Sequence, residues 1–422
     1  MIEPNQALPS PQDSNRALWL STGAFTICFA VWTIFSIIGI RIKQELGLTE
    51  SEFGLLVGTP ILTGSIVRVV LGIWTSRYGG RLVYTLTMLL AALATFLLSF
   101  AHTYPQMLLA GLGVGLAGGS FAVGVAYVSP FFAAEKQGTA LGIFGAGNVG
   151  AAVTKFLAPF VLIAWGWQSV AQIWALGLVL MAAAFWFSTT DDPAFLARKG
   201  NPGASKSLLE EFAPLKNAQV WRFSLYYFFS FGGFVALSLW LPRYLVGAYG
   251  FELATAGMIA AAYSIPGSIF RAYGGALSDR KGARSVMYAV FVVSAIATLI
   301  LALPAASAQS HFPVTIAPLA FIVIIFVLGF FMSLGKAAVY KHIPAYYPEN
   351  VGSVGGVVGM MGGLGGFILP IAFGYLKDVT GLWSSCFLLL FALVVVSLVW
   401  MHFSIRSLQR SEPATLTSAV AS

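Results

Sequence analysis

Long apolar runs recur along the whole chain, and short polar segments separate them. Each run has about the 20 residues that an α-helix needs to cross the hydrocarbon core of a bilayer. Segment 1–16 is polar and has no cleavable signal pattern, so we expect the first apolar run to remain in the protein. The pattern predicts twelve membrane-spanning helices, at residues 18–40, 51–74, 82–101, 106–132, 138–164, 169–188, 222–246, 253–277, 285–304, 314–340, 352–376 and 383–403.

The longest polar stretch lies between the sixth and seventh predicted helices and is rich in proline, glycine and charge. It predicts a cytoplasmic linker at 189–221 between six-helix halves at 1–188 and 222–422, the second with a short cytoplasmic tail. An internal repeat supports this division. TGSIVRVVLGIWTSRYGGR (63–81) returns as PGSIFRAYGGALSDRKGAR (266–284), with eight of nineteen positions identical. We therefore expect an all-α membrane protein built from two pseudo-symmetric halves.

The composition agrees with a protein that crosses the membrane many times. Hydrophobic residues make up 58% of the 422 residues and charged residues only 9%, whereas soluble chains carry roughly 25% charged residues. The net charge of +8 comes mostly from short loops on one side, so it does not indicate nucleic-acid binding. The positive-inside rule makes that side cytoplasmic and predicts that both termini lie there. Cys28 and Cys386 are far apart and are predicted to be small core residues.

Four positively charged residues fall inside predicted spans, whereas no acidic residue does so near the middle of the membrane. The four are Arg68, Lys155, Arg271 and Lys336, and Lys341 follows nearer the cytoplasmic end of its helix. An embedded cation costs about 2.5–3.5 kcal/mol on insertion scales. Because the chain supplies no embedded carboxylate, we expect a bound anion to supply the counter-charge.

The two arginines occupy equivalent positions in the repeat. Arg68 precedes Thr75 by seven residues, and Arg271 precedes Ser278 by the same number. Both are therefore expected about 10 Å in from the cytoplasmic helix ends, facing each other across a central cavity. Two guanidinium groups suit a planar oxyanion, since each offers a fixed pair of donors. The alternative is that the cations snorkel or bind backbone carbonyls, and it stays open above all for Lys155 and Lys336, which could bond to carbonyls of broken helices.

Each copy of the repeat ends in a glycine- and arginine-rich turn between two helices, GIWTSRYGGR (72–81) and GALSDRKGAR (275–284). These turns resemble the paired loops of the major facilitator superfamily, which implies its twelve-helix fold. Ser76 departs from the pattern, because an acidic residue is usual there. The resemblance implies that the following residues belong to gating loops: Gly72, Arg77, Gly79, Arg81, Gly275, Asp279, Arg280, Gly282 and Arg284.

Two glycine-rich segments, GTALGIFGAGNVGAA (138–152) and GSVGGVVGMMGGLGGF (352–367), resemble the paired signatures of the nitrate/nitrite porters, the NarK-type branch of that superfamily. GAGNVG within the first formally matches a dinucleotide-binding motif, but no strand precedes it. The family's substrate-binding residues fall on matching positions of this chain. The resemblance therefore implies a nitrate site formed by Arg68, Arg271, Asn148, Tyr227, Phe121 and Phe231.

The function implied is secondary active transport of nitrate across the inner membrane of a bacterial cell. GKAAVYKHIP (335–344) resembles the subgroup that imports nitrate with protons, so we expect nitrate/proton symport, with Lys155, Lys336 and Lys341 in coupling or charge balance. Nitrate/nitrite antiport is the alternative, and a channel or a nitrate sensor fits less well. His342 is expected to be a surface histidine. We expect a monomer without metal or cofactor and not an enzyme, because no catalytic constellation is recognisable.

Overall fold

The computed structural model describes residues 10–193, 195–196, 216–306, 313–346 and 351–420. Within these ranges the chain is almost entirely helical. Its main helices are α1 (Pro11–Leu46), α2 (Glu50–Tyr78), α3 (Gly80–Leu98), α4 (Tyr104–Phe131), α5 (134–165), α6 (167–188), α7 (Ala218–Tyr249), α8 (Leu253–Ile269 and Arg271–Lys281), α9 (Ala283–Leu301), α10 (Pro318–Tyr346), α11 (Val351–Thr380) and α12 (Ser385–Val420).

These helices account for the twelve predicted crossings. Ten helical stretches are long and apolar enough to span a bilayer, and the bent pair that forms α8 makes an eleventh. One of the ten, Thr139–Ser188, is 50 residues long, more than twice what a single crossing needs. Gly166 interrupts it with φ 82°, a value that glycine adopts without strain, so α5 and α6 cross separately.

The helix bounds differ from the predicted ones, because each helix extends past its predicted apolar run at one end or at both. α1 begins at Pro11 rather than at residue 18, and α7 begins at Ala218, inside the predicted linker. Amphipathic helix ends carry polar residues into the headgroup region, which hydropathy alone does not detect. Residues 194 and 197–215, most of the linker, lie outside the described residues.

The outward surface of the helix bundle is apolar, as a lipid-facing surface must be. Large apolar side chains such as Phe187, Leu319 and Leu109 are 83%, 74% and 71% exposed. We call the side with residues 76–82, 279–284 and the end of α10 the inner face, and the side with residues 47–50 and 381–385 the outer face. In the predicted orientation the inner face is cytoplasmic.

Glycines allow α2 of the first half to pack directly on α11 of the second half near the outer face. A methyl group added to Gly54 would overlap the carbonyl of Pro370, and one added to Gly374 would overlap the carbonyl of Glu50. Toward the centre, Gly363 packs against Ser65. Such close backbone approach is how helices associate in lipid, where burial of apolar side chains gives no driving force.

At the inner ends of the same two helices, the glycines show no such close approach. A methyl group added to Gly72 on α2 or to Gly356 on α11 would meet no atom within 4 Å. Continuing the antiparallel register of the outer contacts would place these two glycines opposite each other. The helices therefore diverge toward the inner face, so the molecule is closed at its outer face and open at its inner face.

Candidate functional site

Arg68 and Arg271 approach the same aromatic ring from different halves of the chain. The guanidinium carbon of Arg68 lies 5.6 Å from the centre of the Phe121 ring, and that of Arg271 lies 5.7 Å from it. Arg68 also lies 5.6 Å from the ring of Phe231 on α7. The structure thus brings together both predicted arginines and two of the predicted aromatic residues, and we call this group the arginine site.

No carboxylate of the described residues pairs with either guanidinium group. Nε of Arg68 donates to the carbonyl of Gly118 at 3.3 Å, so part of the carbonyl-binding alternative holds for this residue. The described contacts leave the terminal nitrogens of Arg68 and the whole guanidinium of Arg271 without a hydrogen-bond partner. Cations beside aromatic rings gain some stabilisation, but that gain does not replace a counter-charge.

Aromatic rings form the walls of the arginine site. Tyr227 and Phe231 stack with ring centres 5.0 Å apart and planes 5° apart, and Tyr340 meets Tyr227 edge-on at 4.9 Å. Phe231 belongs to a π-helical segment, Phe228–Gly233, a form of helix that often occurs at functional sites. Flat aromatic faces of this kind suit contact with a planar ligand.

Asn148 lies one turn of α5 beyond Gly145, whose backbone faces Arg271. A methyl group added to Gly145 would lie 3.7 Å from Nη1 of Arg271. The Asn148 side chain is 1% exposed, and its Nδ2 has no hydrogen-bond partner in the described part of the structure. Buried polar groups are nearly always paired. This amide is therefore available to donate a hydrogen bond to a bound ligand.

Two residues of the arginine site were not predicted from the sequence. The ring centre of Trp32 lies 5.4 Å from the Arg68 guanidinium, and its Nε1 donates to the carbonyl of Pro60 at 2.8 Å. The ring of Tyr340 lies 5.8 Å from the Arg271 guanidinium, and its hydroxyl donates to the carbonyl of Gly355. Both residues lie in apolar helices, where nothing in the sequence distinguishes them from packing residues.

The three lysines have different surroundings. Lys155 and Lys336 are fully buried. Nζ of Lys336 donates to the carbonyl of Gly267, one turn outward from Arg271, and lies 3.5 Å from the centre of the Phe234 ring. Lys341 is exposed and forms an ion pair with Asp279 at the inner face. Lys341 therefore lies apart from the arginine site.

The predicted gating loops lie at the inner face. Gly79 and Gly282 adopt φ 88° and 79°, which explains the glycine at each turn. Arg81 donates to the carbonyl of Trp186 at 2.6 Å and stacks on its ring, while Arg284 bonds the Tyr346 hydroxyl. Within the described residues, no inter-helix hydrogen bond or ion pair involves Gly72, Gly275, Arg77 or Arg280. The side chain of Ser76 lies outside the described residues.

The expectation for His342 was wrong. Its side chain is only 8% exposed, and its ring stacks on Phe223 with centres 5.4 Å apart and planes 10° apart. Hydropathy alone does not distinguish a buried position on the last turns of α10 from a surface position. Cys28 and Cys386 are 0% and 1% exposed, which confirms the prediction that they are core residues.

A second polar group closes the outer face, and we call it the outer contact: Lys43, Glu50, Arg243 and Asp378. Glu50 of α2 pairs with Arg243 of α7 at 2.5 Å and with Lys43 of α1 at 3.4 Å. The carboxylate of Asp378 on α11 accepts from the backbone N–H of Glu50 at 3.1 Å and of Ser51 at 2.8 Å. An acidic side chain at a helix N-terminus is stabilising, and here it joins the two halves.

Replacing Glu50 with glutamine is expected to destabilise the closed outer face, because Arg243 loses its partner from the other half. A change of about 1–3 kcal/mol corresponds to roughly a 5–150-fold shift between the two states. An Ile61→Cys reporter checks this, since Ile61 on α2 is buried against Gly366 of α11. We expect faster labelling from outside by a membrane-impermeant maleimide.

The matched control is Glu45→Gln. Glu45 pairs with Arg41 at 3.0 Å and accepts from Nε1 of Trp167, so all its partners belong to the first half. Equal labelling rates for the two variants would show that the Glu50 pair does not hold the outer face closed.

The chain is similar in sequence to known membrane transporters. A family model described as Major Facilitator Superfamily matches residues 20–317 and 245–421. The chain is 42% identical, over 97% of its length and 96% of the relative's, to a probable nitrate/nitrite antiporter NarK1 of Thermus thermophilus. It is 30% identical to a probable nitrate transporter NarT of Staphylococcus epidermidis (91% and 95%) and 29% identical to a nitrite extrusion protein of Bacillus subtilis (91% and 93%).

Solved structures with similar folds are more distant in sequence. A bacterial homolog of the human lysosomal transporter Spinster, in an inward-facing and unoccupied conformation, superposes with TM-score 0.72 at 15% identity, over 95% of this chain and 99% of that one. The nucleoside transporter NupG gives TM-score 0.71 at 15% identity, over 92% and 99%. These likenesses confirm the fold that the sequence predicted.

Proposed function

The chain belongs to the major facilitator superfamily, in the branch of the nitrate/nitrite porters, and we propose that it carries nitrate across the cytoplasmic membrane by alternating access. The observation that carries the proposal is the arginine site. Two guanidinium groups from opposite halves lie on one aromatic ring, and no described carboxylate neutralises them. A small anion is the ligand that satisfies this arrangement.

The shape of the site supports a planar oxyanion. The stacked rings of Tyr227 and Phe231 and the ring of Phe121 limit the height of a ligand, whereas each arginine offers two parallel donors in one plane. Nδ2 of Asn148 adds a buried donor without a described partner. A planar three-oxygen anion offers directed acceptors that match planar donors of this kind, whereas a spherical halide does not.

Alternating access is supported by the contrast between the two faces. The outer contact and the α2–α11 glycines hold the outer face together, while Gly72 and Gly356 remain apart at the inner face. Transport then requires the outer contact to open and the inner helix ends to close around the same site. A channel needs no such exchange of contacts.

For the energy source we propose coupling to protons. Lys336 beside the arginine site and Lys155 further toward the outer face are two buried amines without described carboxylate partners. Together with the arginines they supply more positive charge than one nitrate neutralises. This excess allows a loaded site that is neutral or positive, as symport with protons requires.

Exchange of nitrate for nitrite is the second candidate. It is favoured by the similarity to the Thermus thermophilus relative, a probable nitrate/nitrite antiporter, and by the chemistry of the arginine site, which fits either anion. Exchange needs no group that binds a proton, since one anion leaves as another enters.

Nitrate uptake by the purified protein in proteoliposomes tests both candidates. Symport predicts uptake that is driven by an imposed proton gradient and does not need internal nitrite. Exchange predicts uptake that depends on internal nitrite and is indifferent to the proton gradient. Absence of nitrate uptake under both conditions would contradict the proposed function.

The remaining assignments follow from the same proposal. We propose that both termini and the inner face lie in the cytoplasm, which the charge distribution supports, so that the structure corresponds to an inward-open state. We propose a monomer, since one chain contains both halves and the whole arginine site. The members of the superfamily and the relatives compared above are transporters rather than enzymes.

A further inference from the structure

Lys155 of α5 reaches from the first half into the second. Its Nζ donates to Oγ of Ser238 on α7 at 2.6 Å and to Oγ of Ser264 on α8 at 3.0 Å. The third bond goes to the carbonyl of Ala151 in its own helix at 3.0 Å. An ammonium group has three donors, so this set satisfies all of them in the closed outer half of the molecule.

The position of Lys155 relates it to the arginine site. It follows Asn148 by seven residues, which places it on the same face of α5, about 10 Å further toward the outer face. The contact between α5 and α8 is tight here, because a methyl group added to Gly257 would overlap the carbonyl of Lys155. Lys155 therefore lies on the outer side of the arginine site, which is the side from which an external anion arrives.

Two of the three bonds cannot survive opening of the outer face. Ser238 and Ser264 belong to the second half, so they move away from Lys155 when α5 and α8 separate. The ammonium group then keeps only Ala151 and turns two unsatisfied donors toward the opened gap. Water in the opened gap hydrates the ammonium group, whereas an entering oxyanion binds it by a stronger, charge-assisted hydrogen bond.

The identity of the partners supports an exchange of ligands. Two hydroxyl groups that also bond each other at 3.1 Å hold the ammonium group without neutralising it. A carboxylate in their place would bind the cation permanently and leave nothing for an anion. Lys336 differs, because its carbonyl and ring partners, Gly267 and Phe234, belong to its own half.

We propose that Lys155 is the anion-capture residue of the outward-facing state. It binds nitrate that enters from the outer face and passes it to the arginine site, and it returns to Ser238 and Ser264 as the outer face closes. The inference rests on the proposed function and adds to it a second subsite for a small oxyanion, which exists only when the outer face is open.

Nitrate transport measured from each side separately tests this inference. In right-side-out vesicles, Lys155→Gln is expected to raise the KM for nitrate about tenfold, the order of one charge-assisted hydrogen bond. In inverted vesicles the KM of the same variant is expected to stay within twofold of the wild type. Lys155→Arg, which keeps the charge, is expected to restore most of the lost apparent affinity.

Two further variants separate capture from a structural role. Lys336→Gln is the matched control, since its partners do not separate, and we expect equal KM changes from both sides. The double variant Ser238→Ala, Ser264→Ala removes the hydroxyl partners but keeps the amine. It is expected to leave the outer KM unchanged or lower and to speed external labelling of Ile61→Cys.

The outcomes distinguish this inference from the proposed function. Equal KM changes from both sides in Lys155→Gln, or an outer KM raised by the double serine variant, would overturn the capture role while nitrate transport stands. If Lys155→Gln does not fold, the double serine variant alone still decides. Absence of nitrate transport by the wild-type protein would instead remove the proposed function.

Discussion

Replacing Arg271 with glutamine is expected to lower the affinity for nitrate at least about 30-fold and to abolish measurable uptake at low nitrate concentrations. Loss of one partner of a desolvated, hydrogen-bonded charge pair costs about 2–5 kcal/mol, and 1.4 kcal/mol corresponds to about tenfold in affinity. Arg68→Gln is expected to act in the same direction. Arg68 keeps a bond to Gly118 in the wild type, so its backbone environment also changes in that variant.

Calorimetric titration of the purified protein with nitrate measures the affinity, and uptake of labelled nitrate into proteoliposomes measures the transport. Arg271→Lys keeps the charge but removes the planar pair of donors, so we expect an intermediate loss of about tenfold. Arg406→Gln is the matched control, because Arg406 is exposed on α12 far along the chain from the site. Nitrate affinity within twofold of the wild type in Arg271→Gln would contradict the assignment of the arginine site.

Replacing Gly374 with valine is expected to stop transport by preventing closure of the outer face. The added side chain would occupy the position of the Glu50 carbonyl on α2, so the two helix backbones can no longer touch. Overpacking costs about 1–3 kcal/mol, which corresponds to roughly a 5–150-fold shift toward the state with the outer face open. Uptake is expected to fall with little change in the amount of folded protein.

The labelling rate of Ile61→Cys from outside measures this shift, and it is expected to rise. The natural thiols, Cys28 and Cys386, are buried and give little background. Gly177→Ala is the control, because an added methyl group there would touch only Ile27 at 4.0 Å. Slow external labelling of Gly374→Val, equal to that of the control, would be incompatible with this explanation.

Gly356→Val on the same helix is expected to have the opposite effect. Nothing lies within 4 Å of an added methyl group in the present state, so the inward-open form is undisturbed. Because the register of α2 and α11 brings Gly356 toward Gly72 when the inner ends close, the added side chain opposes that closure. External labelling of Ile61→Cys is then expected to slow rather than to speed up.

Several features of the site could be predicted because they depend on few residues close together in sequence. The equal depths of Arg68 and Arg271 follow from two nineteen-residue segments that can be compared directly. Their approach to one ring, Phe121, required only the assumption that the two halves face each other. Tyr340 and Trp32 could not be found in this way, because aromatic residues at helical spacing are far more often packing residues.

The partners of the charged residues could not be predicted from the sequence. Lys155 and Ser264 are 109 positions apart, and Glu50 and Arg243 are 193 apart. Their encounter depends on the crossing of helices from different halves and on the state that the molecule occupies. Lys341 was assigned together with Lys336, yet five residues along α10 place it at the inner face beside Asp279.

The sequence by itself determined the membrane-crossing helices, the two related halves and the excess of buried positive charge, because these depend on hydropathy, repetition and charge count along the chain. The tertiary structure alone decided which face is closed, which glycines touch across the halves and which donors remain without a partner. Those features arise from packing between helices far apart in sequence. Packing changes as the halves move, whereas the sequence does not.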